Sequence, residues 1–132
     1  MREILFKAKR IDNGEWVEGY LVKSNERILT SVIIKCIDSI FPEMWPIYEV
    51  DEKTICQYTG LTDKNGKKIW ENDVCKITFG DGETTNGIIE YRENNCRFIL
   101  YEVGDGDYGF TTNSVEVIGN IFDNPELLER GE

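Results

Sequence analysis

The sequence predicts a mainly β protein with only a short helix at its end, and three observations carry that prediction. β-branched and aromatic residues gather in short runs. Turn-forming Gly, Asn, Asp and Pro separate those runs, in the C-terminal half at intervals of about 8 to 12 residues. A second apolar run, Ile28 to Ile40, is rich in β-branched residues and shows no stripe of apolar positions every 3.6 residues, so it too reads as strand for most of its length.

The elements follow in order. Ile4 to Lys9 is half-alternating, and after the Asp12-Asn13-Gly14 turn the run Trp16 to Val22 completes a hairpin with a longer loop. Ile28 to Ile40 follows, and Pro42 and Pro46 then interrupt the pattern because proline cannot donate to a ladder. Beyond them Ile47 to Val50 and Thr54 to Tyr58 are extended. Asn65-Gly66 is a tight-turn signal, since both residues tolerate positive φ. Val74 to Phe79 alternates, Gly80-Asp81-Gly82 reverses the chain, and Gly87 to Tyr91, Cys96 to Val103, Tyr108 to Thr111 and Val115 to Phe122 are four more expected strands. Asp123-Asn124-Pro125-Glu126 has a capping residue, a first-turn proline and first-turn acids, which predicts one or two helical turns over the following leucines. The assembled expectation is a strand-rich N-terminal region over 1–46, then an SH3-like β-barrel with a short C-terminal helix over 47–132. The two can still share one compact body, because 132 residues is an ordinary single-domain length.

Composition narrows the function classes. The apolar runs fall far short of the roughly 20 residues that cross a bilayer. The opening ten residues carry charge and no small-residue cleavage site, which predicts a cytoplasmic protein with no membrane partner. The net charge is −10, and residues 80–132 hold 12 acids against 3 bases. That balance opposes simple duplex binding, although Lys7, Lys9 and Arg10 form a local basic cluster. Cys36, Cys56, Cys75 and Cys96 stand singly and the chain has no His, so buried, reduced thiols are expected rather than a zinc site or disulfides.

The absence of His also removes the usual base for a Ser or Cys nucleophile. Glu71 and Asp73 lie two apart and would share a strand face as a carboxylate pair, but acids beside a turn more often bond nearby backbone N–H groups. Asp63-Lys64-Asn65-Gly66 and Gly104-Asp105-Gly106-Asp107 lack the order of a calcium loop and read as turns. Gly80, Gly82 and Gly87 lack phosphate-loop spacing, so no cofactor is expected. Trp16, Trp45, Trp70 and Tyr58 have the composition of a base-stacking platform, yet aromatics in so small a domain are usually core unless a basic groove adjoins them.

The run Val50-Asp51, Thr54-Ile55 and Gln57 to Glu71, followed by Asp73-Val74, resembles the YopX family of bacteriophages and prophages, found mainly in Gram-positive bacteria. The opening Arg2 to Ala8, the segment Trp16 to Leu21 and the closing Val117 to Leu128 share in the resemblance, which therefore spans nearly the whole chain. Cys56 and Asn72 stand where the family often has Gly. Asn tolerates positive φ, so a turn at 72 should survive, whereas Cys56 implies either that this position is not a turn or that the local backbone differs from the family's.

The resemblance implies a phage or prophage origin, a bacterial cytoplasm and an oligomeric β-rich protein, and it assigns no catalytic residue. The motif surface it marks is Thr59, Gly60, Asp63, Asn65, Gly66, Glu71 and Asp73. Together these readings favour a non-enzymatic accessory protein acting through contact with a host or phage protein and with its own copies. The alternatives are an acidic decoy that imitates nucleic-acid phosphates through Glu90, Glu93 and Glu102 and, last, a carboxylate-dependent enzyme built on the motif loop.

Overall fold

A computed structural model of the chain describes residues 3–23, 31–35, 41, 45–102 and 106–128, and the protein is mainly β with antiparallel sheets. It divides into two compact units, residues 1–58 and 59–132.

In the first unit the strand order is β4-β3-β2-β1-β5, with β1 Phe6–Lys9, β2 Trp16–Lys23, β3 Ser31–Ile34, β4 Ile47–Val50 and the opening of β5 Cys56–Thr62. Alternation decides the faces. Ala8, Ile33 and Val50 are buried, and Phe6, Val17, Leu21, Tyr48 and Ile55 pack around them. Gly19 is required where β2 and β3 approach, since a Cβ there would lie 2.3 Å from the Ile34 carbonyl oxygen. Past β1 the chain bends until Arg10 bridges Val50. Asp51 N donates to Lys9 O at 2.8 Å and Ile11 N to Glu49 O at 3.0 Å. The outer edge of β4 is thus partly consumed within the chain, which blunts it against foreign strands.

Several expected elements change here. Thr54 to Tyr58 is not one strand, because Glu52–Thr54 forms a 3-10 turn capped by the Asp51 carboxylate and β5 starts only at Cys56. Of the run Ile28 to Ile40, β3 occupies 31–34, and the rest of the run except residue 35 lies outside the described residues, as does Cys36.

In the second unit the remainder of β5 pairs with β6 Lys68–Trp70, and a five-stranded sheet runs in the order β10-β9-β8-β7-β11. Its members are β7 Asp73–Thr78, β8 Thr84–Arg92, β9 Arg97–Glu102, β10 Gly106–Tyr108 and β11 Val115–Asn120. Ile69, Cys75, Ile77, Ile89, Leu100 and Val115 form its core, ringed by Phe79, Phe98, Tyr108, Phe110 and Val117. This sheet is open: among the described residues nothing pairs β10 with β11, so the closed barrel expected from the strand spacing is absent. Spacing reports strand number, whereas closure depends on how far the sheet curls. Tyr108 to Thr111 shifts to 106–108. Cys96 sits at φ +54 in the turn before β9 instead of starting that strand. The C-terminal helix reduces to a 3-10 turn, Pro125–Leu128. Asn120 and Asn124 side chains bond the backbone around them, closing the chain into a tight turn ahead of Pro125; residues 129–132 lie outside the described residues.

Candidate functional site

The motif residues converge on one hairpin of the second unit. Asn65-Gly66 reverses the chain between β5 and β6, with Gly66 at φ +83 and its N–H donating to Asp63 O at 3.0 Å. Asp63 is only 2% exposed, and its carboxylate is surrounded by backbone donors. Oδ1 accepts from Asn65 N and Lys67 N, both at 2.9 Å, and Oδ2 accepts from Val117 N at 2.9 Å. Lys64 N adds a bond to Val115 O at 3.2 Å. The hairpin is therefore clamped along the outer edge of β11. Burial raises the Asp63 pKa, but the three N–H donors outweigh it and hold the carboxyl below its ordinary value.

The rest of the motif is equally structural. Thr59 Oγ1 donates to Ile69 O at 2.8 Å and accepts from Leu61 N, tying β5 to β6, while Gly60 lies at φ +90. Asp73 is buried and accepts from Trp70 N at 2.8 Å. Glu71 lies in the preceding turn, half-buried, so the shared strand face expected for Glu71 and Asp73 does not form; β7 begins only at Asp73. Asn72 takes φ +70. Its N–H donates to Ile89 O at 2.7 Å and its carbonyl accepts from Ile121 N. Asn does here what Gly would do, and Cys56, buried in β5, occupies no turn.

Cys75, fully buried beside this hairpin, has its thiol pKa pushed up by desolvation and by the charges of Asp73 and Asp63. Cys96 is exposed. Among the described residues no three His, Cys, Asp or Glu side chains gather as metal ligands.

The acidic candidates are partly engaged. Arg92 bonds Glu90 at 2.7 Å and Asp107 at 2.8 Å, and Thr85 Oγ1 donates to Glu102 at 2.7 Å, while Glu93 is exposed. Lys64 lies 3.5 Å from Glu116. The surplus negative charge is thus broken up by basic and hydroxyl donors.

In the first unit, the face of the sheet opposite its core was not singled out from the sequence. Strand register puts Lys7, Lys9, Trp16, Glu18, Tyr20 and Val22 on it with Val32, Ile34 and Ile47. Tyr20 is 51% exposed, Val22 49% and Ile47 62%. Lys7 and Lys9 stand over the Trp16 ring at 4.7 and 5.5 Å, and Arg10 stacks on Tyr48 at 4.5 Å. A cleft of about 450 Å³ is lined by Lys9, Arg10 and Ser31 and by the acids Glu49, Asp51 and Glu52. Trp16, Tyr20 and Val22 at alternate positions on one side of β2, opposite the side that carries Val17 and Leu21, were the available signal. Of the four aromatics considered for stacking, Trp70 and Tyr58 are buried, Trp16 and Trp45 are half-buried, and Trp16 has lysines over it.

A model of the YopX protein family matches residues 5–129. No curated protein matches. Among solved structures, this chain is similar to protein EF1440 from Enterococcus faecalis, with 25% identity and a TM-score of 0.63 over 98% of this chain and 100% of that one.

Proposed function

Since this chain belongs to the YopX family, we propose that it is a phage- or prophage-encoded, non-enzymatic accessory protein of the bacterial cytoplasm that works by protein–protein contact. The observation that carries this reading is the exposed face of the N-terminal sheet, where Tyr20, Val22 and Ile47 leave a band of apolar surface in water. The motif carboxylates support the same reading from the other side. Asp63 spends its lone pairs on backbone donors and Asp73 is buried against Trp70 N, so neither is poised as a general base. The strand order β10-β9-β8-β7-β11, a meander with its last strand returned beside the first, supports an opened SH3-like arrangement for the second unit. No helix among the described residues is long and apolar enough to cross a membrane.

The decoy reading draws on the surplus acids of residues 80–132, but the Glu90–Arg92–Asp107 pairs reduce the continuous negative wall it needs. One comparison tests the choice. A Tyr20→Ser, Val22→Ser, Ile47→Ser variant should lose a partner retained by the wild type in phage-infected cells and lower the mass seen by light scattering. A Glu90→Gln, Glu93→Gln, Glu102→Gln variant should keep both. The reverse pattern would favour the decoy, and a monomeric wild type would remove the self-association part of the proposal.

A further inference from the structure

The chain contains three Asn-Gly pairs, Asn13-Gly14, Asn65-Gly66 and Asn86-Gly87. Such a pair can modify itself. The nitrogen of the glycine attacks the side-chain carbonyl carbon of the asparagine and gives up its proton to solvent. Ammonia leaves as a cyclic imide closes, and water then opens the imide at either carbonyl, leaving an aspartate or an isoaspartate link. Glycine permits this because no Cβ hinders the approach and its dihedrals are the freest of any residue. What then decides is whether the fold lets the carboxamide and the next nitrogen meet.

The structure separates the three. Asn86 lies inside β8, paired in register with Lys76, and Gly87 is buried where a Cβ would meet Leu100 at 2.3 Å. The carboxamide makes only a long bond to Leu127 O at 3.5 Å, but the pairing of Asn86 with Lys76 and of Gly87 with Cys75 holds the backbone extended, so Gly87 N cannot swing toward it. Asn13 is exposed and Gly14 has open space and a single N–H bond, to Arg10 O at 2.9 Å, much as Gly66 has; the difference is that Asn13 Oδ1 accepts from Glu15 N at 3.0 Å, which ties down the carboxamide. Asn65 is exposed, and among the described residues its carboxamide makes no hydrogen bond. Gly66 has open space around it, and a single 3.0 Å bond from its N–H to Asp63 O has to open.

We propose that Asn65 is a self-modification site, and that its conversion loosens the Asp63 clamp between the hairpin and β11. The product adds a carboxylate two residues from buried Asp63, and the isoaspartate form also lengthens the backbone between two amides that Asp63 Oδ1 holds, Asn65 N and Lys67 N. Like charge and altered spacing both act against the same bonds.

The test is incubation of the folded chain at mildly alkaline pH with peptide mapping by mass and enzymatic methyl labelling of isoaspartate. Conversion should fall on Asn65 several-fold faster than on Asn13, with Asn86 intact, whereas the denatured chain should convert all three at similar rates. Converted protein should melt below unconverted protein, and Asn65→Gln should abolish that ageing loss. Conversion led by Asn13 or Asn86 in the folded chain, or converted protein with an unchanged melting temperature, would overturn the proposal.

Discussion

Replacing Asp63 with Asn is the sharpest probe of the fold, because the substitution keeps size and changes one thing. The carbonyl oxygen of Asn can still accept from Asn65 N and Lys67 N. Its NH2 group, however, must then face Val117 N, so an acceptor at 2.9 Å becomes a donor against a donor. The lost bond is charge-assisted and lies at a side chain 2% exposed, and bonds of that kind contribute about 1.5–3 kcal/mol, with more lost when a buried N–H is left unmet. The expected destabilisation of Asp63→Asn is therefore about 3 kcal/mol at neutral pH, read by urea or thermal unfolding.

The pH dependence follows from the lowered Asp63 pKa. Burial acts to raise it, but the N–H bonds from Val117, Lys67 and Asn65 prevail, so the folded protein holds the proton more weakly than the unfolded chain. Its stabilisation is fully present above the unfolded carboxyl pKa and is lost as pH falls through the folded one. The gap between wild type and Asp63→Asn should therefore narrow in acid. A variant within about 0.5 kcal/mol of wild type at neutral pH, or a gap that is flat with pH, would refute the clamp.

The other expectations concern backbone and thiols. Gly66→Val should cost about 1–3 kcal/mol, because a β-branched residue is forced to φ +83; an unchanged melting curve would contradict the turn. Gly19→Ala should destabilise by at least as much, since the new methyl carbon meets the Ile34 carbonyl oxygen at 2.3 Å and backbone must shift; circular dichroism melts report it. Asn72→Gly should change stability by no more than about 0.5 kcal/mol, as Asn already holds φ +70 there, and a large loss would mean its side chain matters more than its dihedral. A thiol reagent at neutral pH should label exposed Cys96 quickly and reach Cys56 and Cys75 only on unfolding, with desolvation keeping the Cys75 thiol protonated; rapid labelling of Cys75 in the native protein would contradict its burial.

The sequence by itself determined what depends on neighbours a few residues away. Asn65-Gly66 had to be a turn, Asn72 could replace glycine, and the alternating run 74–79 and the short apolar run 98–101 between turn residues read as strands, because dihedral preference and residue patterning are local properties. The family was legible for the same reason, since its motif is a string of such local requirements. Only the tertiary structure decided the rest. Asp63 reads as a turn residue until Val117, 54 positions away, is seen to donate to it. The bend that brings Arg10 to Val50, the failure of β10 to meet β11, and the stranding of Tyr20, Val22 and Ile47 in solvent all depend on sheet curl and register. Curl and register are set by packing between segments distant in sequence, and no window of residues carries that information on its own.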